Sequence, residues 1–289
     1  MEIIDKILEQ AARGQAENRI VDAAAWEDGK VTERSLVPHQ GALNCYSIAK
    51  SVTSLLFGIA EGEGKISRHD TVASVFADKI AEYGLDKAPF ERITMHHLLN
   101  QCPGIDRGFL FESDRYATPE RDWMKLCLTE PYPHEPGTKF MYSNSNYYLL
   151  SCALHRAVGI HPERYLYEKL FYPAGIRTYA VERCPYDEMN GATGLYLSTR
   201  DLLRLGVLML NEGEGLVPAD YIRDATKNQF NCRHKYGYGF WIYKNAWAMS
   251  GAGGQKVWCC PARRFVFAAH AAESNVDWEQ VMNAVFAEE

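Results

Sequence analysis

The spacing of apolar residues predicts a helix that begins at Ser47 and runs to Gly62. Its apolar positions, which recur with the period of an α-helix, are Ile48, Val52, Leu55, Leu56 and Ile59. The sequence Gly62-Glu63-Gly64 is typical of a helix end. Ser47 and Lys50 are three residues apart, so the pattern places both side chains on one face of the first turn.

Strand patterns occur near both ends of the chain, and mainly helical patterns lie between them. Asp28-Gly29 between two apolar runs predicts a β-hairpin. The predicted strands are Arg19–Trp26, Val31–Val37, Gly237–Tyr243, Ala246–Ser250, Lys256–Cys260 and Phe265–Ala271. The other predicted helices are residues 2–14, Arg92–Asn100, Glu120–Leu128, Asn146–Val158, Pro162–Phe171, Arg200–Asn211 and Val276–Ala287. We therefore expect an α+β fold, in which a central antiparallel sheet built from both chain ends is flanked by helices and carries an inserted helical lobe.

This order of elements predicts two lobes that pack as a single compact unit. Residues 1–64 and 191–289 are expected to form an α/β lobe that holds the antiparallel sheet and the Ser47 helix, and residues 65–190 a mainly helical lobe. The sequence contains no Pro/Ser/Gly-rich linker, low-complexity tract or internal repeat.

Composition and charge exclude several classes of function. The 289 residues are 47% hydrophobic and 24% charged, with a net charge of −6 and no basic block, which argues against nucleic acid or a membrane surface as a partner. No apolar run approaches the ~20 residues of a membrane span, and the acidic N-terminus lacks the pattern of a secretory signal. Eight cysteines without C-x-x-C spacing predict reduced thiols, and hence a cytoplasmic protein. Nine histidines show no metal-ligand spacing, so the sequence predicts neither a metal nor another cofactor.

Ser47 and Lys50 are candidates for nucleophilic chemistry. Unbonded N–H groups at a helix N-terminus favour the developing negative charge of a serine alkoxide. A lysine that is removed from water has a lowered pKa and can accept the serine proton. The alternative interpretation is an N-cap serine followed by a surface lysine.

Two further motifs, one polar and one rich in glycine, are candidates for parts of an active site. Tyr142-Ser143-Asn144 offers a phenol for proton transfer and a carboxamide that both donates and accepts, although a polar turn that caps the next helix is the alternative. Residues 249–255, Met-Ser-Gly-Ala-Gly-Gly-Gln, let a substrate approach the backbone, with a bulge or tight turn as the alternative. The second motif matches neither a phosphate loop nor a dinucleotide fingerprint.

Taken in order, S-x-x-K, Y-x-N and a glycine-containing strand resemble the signature set of the serine β-lactamase and penicillin-binding-protein superfamily. The resemblance is to the class C-like branch of esterases, D-amino-acid peptidases and amide hydrolases, and it implies a β-lactamase/transpeptidase-like fold. It extends over most of the chain, through the landmarks Gly64–Ser67, Ile93–Leu99, Pro103–Ile105, Gly194–Asp201 and Tyr236–Trp241.

The resemblance implies a serine hydrolase that acts through an acyl-enzyme on a small ester, amide or short peptide. Ser47 would be acylated, and either Lys50 or Tyr142 would be the general base. The expected substrate- and oxyanion-binding residues are Asn144, Ser250, Gly251 and Ala252, with the backbone N–H groups of Ser47 and Ala252 as the oxyanion donors. The physiological substrate and the oligomeric state stay open.

One departure from the superfamily pattern bears on the substrate. Met249 stands where the third motif usually begins with lysine, a cation that would pair with the carboxylate of a β-lactam or D-Ala-D-Ala. Lys256 or Arg264 could replace it. The Gly-x-Gly-Gly-Gln form also resembles the third motif of 6-aminohexanoate-oligomer hydrolases. Esters or small amides are thus favoured, while a non-catalytic ligand-binding or sensing protein and a β-lactamase or D,D-peptidase remain alternatives.

Specificity is expected to lie in two loops, Phe109–Tyr116 and Asn228–Tyr236, which are rich in aromatic residues. Two other residues are set aside as catalytic groups. Glu163 fits the first turn of a solvated helix, and Cys45 has no histidine beside it and is expected to be a buried structural thiol.

Overall fold

The computed structural model describes residues 1–13, 19–39, 41–229, 235–272 and 275–287. Its strands are β1 (Arg19–Glu27), β2 (Lys30–Ser35), β3 (Leu43–Asn44), β4 (Ala180–Val181), β5 (Leu195–Leu197), β6 (Trp241–Ile242), β7 (Trp247–Ser250), β8 (Lys256–Cys260) and β9 (Phe265–Ala272). Its α-helices are α1 (Ile3–Ala12), α2 (Ile48–Gly62), α3 (Val72–Val75), α4 (Ala77–Glu82), α5 (Met95–Leu99), α6 (Glu112–Ala117), α7 (Trp123–Thr129), α8 (Asn144–Val158), α9 (Pro162–Leu166), α10 (Thr199–Leu210), α11 (Ala219–Ala225) and α12 (Trp278–Ala287). Short 3-10 turns span Ala88–Glu91, Glu212–Gly215, Ala252–Gly254 and Pro261–Arg263, and a π-helical turn spans Tyr167–Phe171.

A six-stranded antiparallel sheet in the order β2-β1-β9-β8-β7-β6 confirms the predicted fold class. Strands from both chain ends meet in it, since β1 pairs along its whole length with β9. The predicted hairpin joins β1 to β2 with Asp28 and Gly29 at positive φ, as a two-residue turn between twisted strands requires. Alternating side chains of β9 pack on opposite faces: Phe265 and Phe267 belong to the core of α1 and α12, and Val266 to the core around α2 and α10.

Helix α2 runs through the middle of the larger core. All its residues from Ile48 to Ala60 are buried, polar ones included. Those polar side chains have partners: Ser51 Oγ donates to the Gly239 carbonyl at 2.6 Å, and Ser54 Oγ lies 2.9 Å from Tyr221 Oη. A helix buried on every side holds its N-terminal turn rigidly, which is how the fold positions the residues that begin it.

The structure differs from the sequence-based elements where strands or helices are very short. A second sheet, β3-β5-β4, has strands of two or three residues and was not predicted. The predicted strand Gly237–Tyr243 is reduced to β6, and the predicted helix Pro162–Phe171 changes to π-helical geometry after Leu166. The predicted helix Arg92–Asn100 begins only at Met95, because Thr94 caps it through the His97 N–H. The boundaries between the lobes at residues 64 and 190 remain a prediction.

Within the described ranges, the helices are all too short or too polar to traverse a lipid bilayer.

Candidate active site

A cleft of about 940 Å³ opens between the N-terminus of α2, the loop before α8 and the end of β7. Six of the seven predicted site residues line it, namely Ser47, Tyr142, Asn144, Ser250, Gly251 and Ala252. The seventh, Lys50, lies beneath the cleft floor and is fully buried. The three motifs, more than 200 residues apart at their extremes, are therefore brought to one place.

Lys50 makes three hydrogen bonds, and every acceptor is neutral. Its Nζ is 3.0 Å from Ser47 Oγ, 2.6 Å from Asn144 Oδ1 and 2.8 Å from the Ala192 carbonyl oxygen. In the part of the chain that the structure describes, no carboxylate forms an ion pair with it. Burial lowers the pKa of Lys50 to about 7, because the ammonium form loses its hydration and no carboxylate among the described residues pairs with it.

Tyr142 lies beside this pair, with its ring centroid 4.8 Å from Lys50 Nζ. The ring stacks on Trp241 at 5.8 Å and meets the edge of Tyr236 at 6.1 Å. Burial raises the pKa of Tyr142 to about 12, against the opposing effect of a hydrogen bond with Ser47. Tyr142 is therefore a phenol at neutral pH, able to pass a proton onward rather than hold a charge.

The loop that carries Tyr142 is fixed by Gln101. The Gln101 carbonyl accepts from the Met141 N–H at 2.8 Å, and its side-chain Oε1 accepts from the Ser143 N–H at 3.0 Å. Ser143 then caps α8, whose first residue, Asn144, points its Oδ1 at Lys50. The polar-turn interpretation thus holds for Ser143, while Tyr142 and Asn144 on either side of it line the cleft.

The predicted oxyanion donors lie at the starts of two helical turns. Ser47 is the N-cap of α2, and Ala252 opens the Ala252–Gly254 turn, so neither N–H has an acceptor within its own helix. The two segments touch at Gly251, where any Cβ would overlap the carbonyl oxygen of Cys45. Glycine is required there because the backbone that leads to Ser47 passes directly against it.

Of the two cations that could replace the missing lysine of the third motif, Lys256 lies in the cleft and Arg264 does not. Met249 is fully buried in the core and does not line the cleft. Lys256, opposite Ser250 in the β7–β8 pairing, does line it and places Nζ 2.7 Å from Ser250 Oγ. Burial lowers the pKa of Lys256 to about 8, with Asp277 and Glu279 opposing the change. Arg264 instead pairs with Asp28 at the far end of β9.

The predicted specificity loops have different positions. Five residues of Phe109–Tyr116 line the cleft, namely Phe111, Glu112, Ser113, Arg115 and Tyr116. Of Asn228–Tyr236, residues 230–234 lie outside the described ranges, and Tyr236 is buried beneath Tyr142. Glu163 pairs with Arg183 on the surface, and Cys45 is buried, which raises the pKa of its thiol.

Sequence reasoning missed three features of the cleft. Trp241 supplies the stacking surface for Tyr142, Tyr196 of β5 lines one side, and Arg115 forms an ion pair with Glu182. The sequence places Trp241 only within the superfamily landmark Tyr236–Trp241, because aromatic residues in short strands carry no periodic pattern that would indicate their contacts.

The comparisons with known proteins identify the family and the fold. The model of the family described as Beta-lactamase matches residues 6–285. Penicillin-binding protein 4* of Bacillus subtilis (strain 168) is 25% identical over 154 residues, which cover 51% of this chain and 32% of that protein. The chain therefore spans about a third of the length of this curated relative.

Two solved structures show the same fold at low identity. A Bacillus anthracis protein provisionally assigned as a 6-aminohexanoate-dimer hydrolase superposes with a TM-score of 0.79 at 16% identity, covering 94% of this chain and 79% of its own. A D-stereospecific amidohydrolase from Streptomyces sp. superposes with a TM-score of 0.74 at 17% identity, covering 100% of both chains.

Proposed function

The chain belongs to the β-lactamase family, and from this premise we propose that it is a serine hydrolase that cleaves an ester or amide bond through an acyl-enzyme on Ser47. Family membership confirms the resemblance drawn from the three motifs. The substrate, the acyl-enzyme and the role of each residue are our proposal.

The environment of Lys50 is the observation that carries the proposal. As a neutral amine, Lys50 keeps two N–H groups for Asn144 Oδ1 and the Ala192 carbonyl, and its lone pair then faces the Ser47 hydroxyl. Ser47 can pass its proton along this contact as its oxygen attacks a carbonyl carbon. The resulting oxyanion would be met by the N–H groups of Ser47 and Ala252.

Tyr142 completes the cycle in this proposal. Its phenol lies next to both Ser47 and Lys50, where it can donate a proton to the departing alcohol or amine. The proton that Lys50 took from Ser47 can then move to the Tyr142 phenolate. A water molecule can afterwards attack the acyl group and give its proton to the neutral Lys50, or directly to the phenolate if that transfer has not occurred. Either assignment is compatible with the geometry, so the variants described below are designed to separate them.

Lys256 points to a substrate that carries a carboxylate. Among the described residues its ammonium has only the Ser250 hydroxyl as a hydrogen-bond acceptor and no carboxylate in direct contact, so a bound anion would pair with it in the cleft. The names of two structural neighbours, a 6-aminohexanoate-dimer hydrolase and a D-stereospecific amidohydrolase, support amides among the candidates.

Turnover of chromogenic substrates tests the proposal. The purified protein is incubated with p-nitrophenyl butyrate, with a p-nitroanilide of a short acid and with nitrocefin, in parallel with Ser47→Ala. We expect hydrolysis of at least the ester, a single fluorophosphonate adduct on Ser47 by mass spectrometry, and loss of both in Ser47→Ala at an unchanged Tm.

Absence of turnover and of an adduct would contradict the proposal. If the cleft still bound small carboxylates in that case, the non-catalytic ligand-binding alternative would be favoured. Nitrocefin hydrolysis that exceeded ester hydrolysis would instead favour a β-lactamase.

A further inference from the structure

A buried pair of side chains, Gln255 and His270, lies beneath the turn that carries Ala252 and has no role in the reaction proposed above. Gln255 is 2% exposed and His270 is fully buried. His270 Nδ1 is 2.7 Å from Gln255 Oε1. Burying two polar side chains is costly unless each atom finds a partner, so this pair calls for an explanation.

The Gln255 amide takes the place of a peptide group in the sheet. The β8–β9 pairing ends at Lys256 and Ala269. Beyond it, the Ala271 N–H donates to Gln255 Oε1 at 3.1 Å and the Ala271 carbonyl accepts from Gln255 Nε2 at 2.6 Å. These two contacts fix which way the amide faces, and Oε1 must therefore be the atom that meets His270.

Gln255 also holds the turn above it at two points. The Gly251 N–H donates to the Gln255 backbone carbonyl at 3.0 Å, and Gln255 Nε2 is 3.3 Å from the Ala252 carbonyl oxygen. The peptide between Gly251 and Ala252, whose N–H belongs to Ala252, lies between these two bonds. The direction of that N–H is thus set from below by one glutamine.

His270 links this arrangement to the segment that leads to Ser47. Its Nε2 is 3.0 Å from the carbonyl oxygen of Leu197 on β5. Leu197 pairs with Leu43 of β3, and the chain reaches Ser47 four residues later. His270 therefore connects the two segments that carry the two oxyanion donors.

Both ring nitrogens of His270 lie within hydrogen-bond distance of an oxygen; the neutral imidazole donates to one of these oxygens and the imidazolium to both. Asp22 stands directly across from His270 on β1, where it accepts from Thr199 of α10 and pairs with His39. Burial lowers the pKa of His270, with a smaller contribution from His39, whereas Asp22 and the hydrogen bond with Leu197 oppose the change. Asp201 of α10 accepts a hydrogen bond from Ser198 and pairs with Arg204.

We propose that Gln255 and His270 are positioning residues that fix the Ala252 N–H in line with Ser47, an inference that rests on the proposed function. They act through the backbone and touch no reacting atom. Loss of one oxyanion donor lowers turnover by roughly 10²–10³-fold, and a donor that is present but misdirected is expected to cost part of that factor.

Steady-state kinetics of matched variants test the role. Gln255→Glu keeps the acceptor for Ala271 and His270 but loses both donors of Nε2; we expect kcat to fall about 10- to 100-fold with KM changed less than about threefold. His270→Leu should lower kcat about 10-fold, and His270→Asn, whose amide nitrogen replaces Nδ1, should recover most of that loss. Tyr221→Phe is the control, since it removes another buried hydrogen bond, to Ser54, away from the cleft.

Equal kcat values for Gln255→Glu, His270→Leu and Tyr221→Phe would overturn the inference. Backbone amide hydrogen exchange of residues 251–254 gives a second measurement that needs no turnover. We expect faster exchange in Gln255→Glu than in the wild type or Tyr221→Phe. If the wild type hydrolyses nothing, the proposed function fails, and hydrogen exchange alone decides whether Gln255 and His270 hold the turn. If Ser47 is active but neither exchange nor kcat changes in the variants, only the positioning role fails.

Discussion

Lys50 and Lys256 are both buried, both belong to the cleft region and both have lowered pKa values, yet their surroundings differ. Lys50 makes three hydrogen bonds to neutral acceptors inside the protein, whereas Lys256 makes one among the described residues, to Ser250, and lines the open cleft. The comparison teaches that burial alone does not assign a role to a lysine. What its remaining donors face decides whether it can move a proton or bind a charge.

The largest expected effect is that of Lys50→Met. We expect kcat to fall at least about 10³-fold for every substrate, because Ser47 loses the group that accepts its proton. Esterase assays with active-site titration measure it. Lys169→Met, which removes a surface partner of Glu63, serves as the control. Retention of more than a tenth of the wild-type kcat in Lys50→Met would remove Lys50 from the mechanism.

Tyr142→Phe should have the next largest effect. The ring keeps its stacking on Trp241 but loses the phenol, so we expect kcat to fall about 10²-fold. Pre-steady-state kinetics show which step is slowed. A burst of p-nitrophenol followed by slow turnover would assign Tyr142 to deacylation, whereas loss of the burst would assign it to acylation.

Lys256→Met should separate the two lysines most clearly. For a substrate that ends in a carboxylate we expect kcat/KM to fall about 10-fold, because a charged hydrogen bond is lost. For a neutral ester of the same length the change should be less than about threefold. An equal loss for both substrates would mean that Lys256 supports the cleft rather than binding a charge.

The smallest expected effect is a difference in pH dependence. Lys50 must lose its proton to act, so kcat/KM should rise with pH and level off above about 7. Lys256 must keep its proton to bind an anion, so the carboxylate substrate alone should show a decline above about pH 8. Profiles measured between pH 5 and about 10 test both limbs. A decline for the neutral ester as well would contradict this assignment of Lys256.

The sequence was sufficient for the fold class, the family and the convergence of the site residues. The apolar period of α2 placed Ser47 at a helix start, and the order of the three motifs indicated the rest. The resemblance brought Lys50 and Asn144 into one site although they are far apart in sequence, and in the structure their side chains are hydrogen-bonded.

Features that depend on register or on very short elements were beyond reach. The direction of Lys256 follows from the pairing of Ser250 with Lys256, which the glycine-rich turn sets and no local pattern reveals. Strands of two residues, such as β3 and β4, have no period to detect. His270 occupies an otherwise apolar strand, where a polar residue is the only available signal, and its partners become apparent only when β5 and β9 are in place.

The close approach of Gly251 to Cys45 has an evolutionary consequence. No side chain fits at Gly251, whereas Ala252, one residue later, is exposed, and only its backbone N–H has a role in the proposed reaction. Substitutions at position 252 can therefore change the size or polarity of the cleft rim without moving the backbone on which the proposed reaction depends. Relatives adapting to new substrates would be expected to diversify there and to stay invariant one step before it.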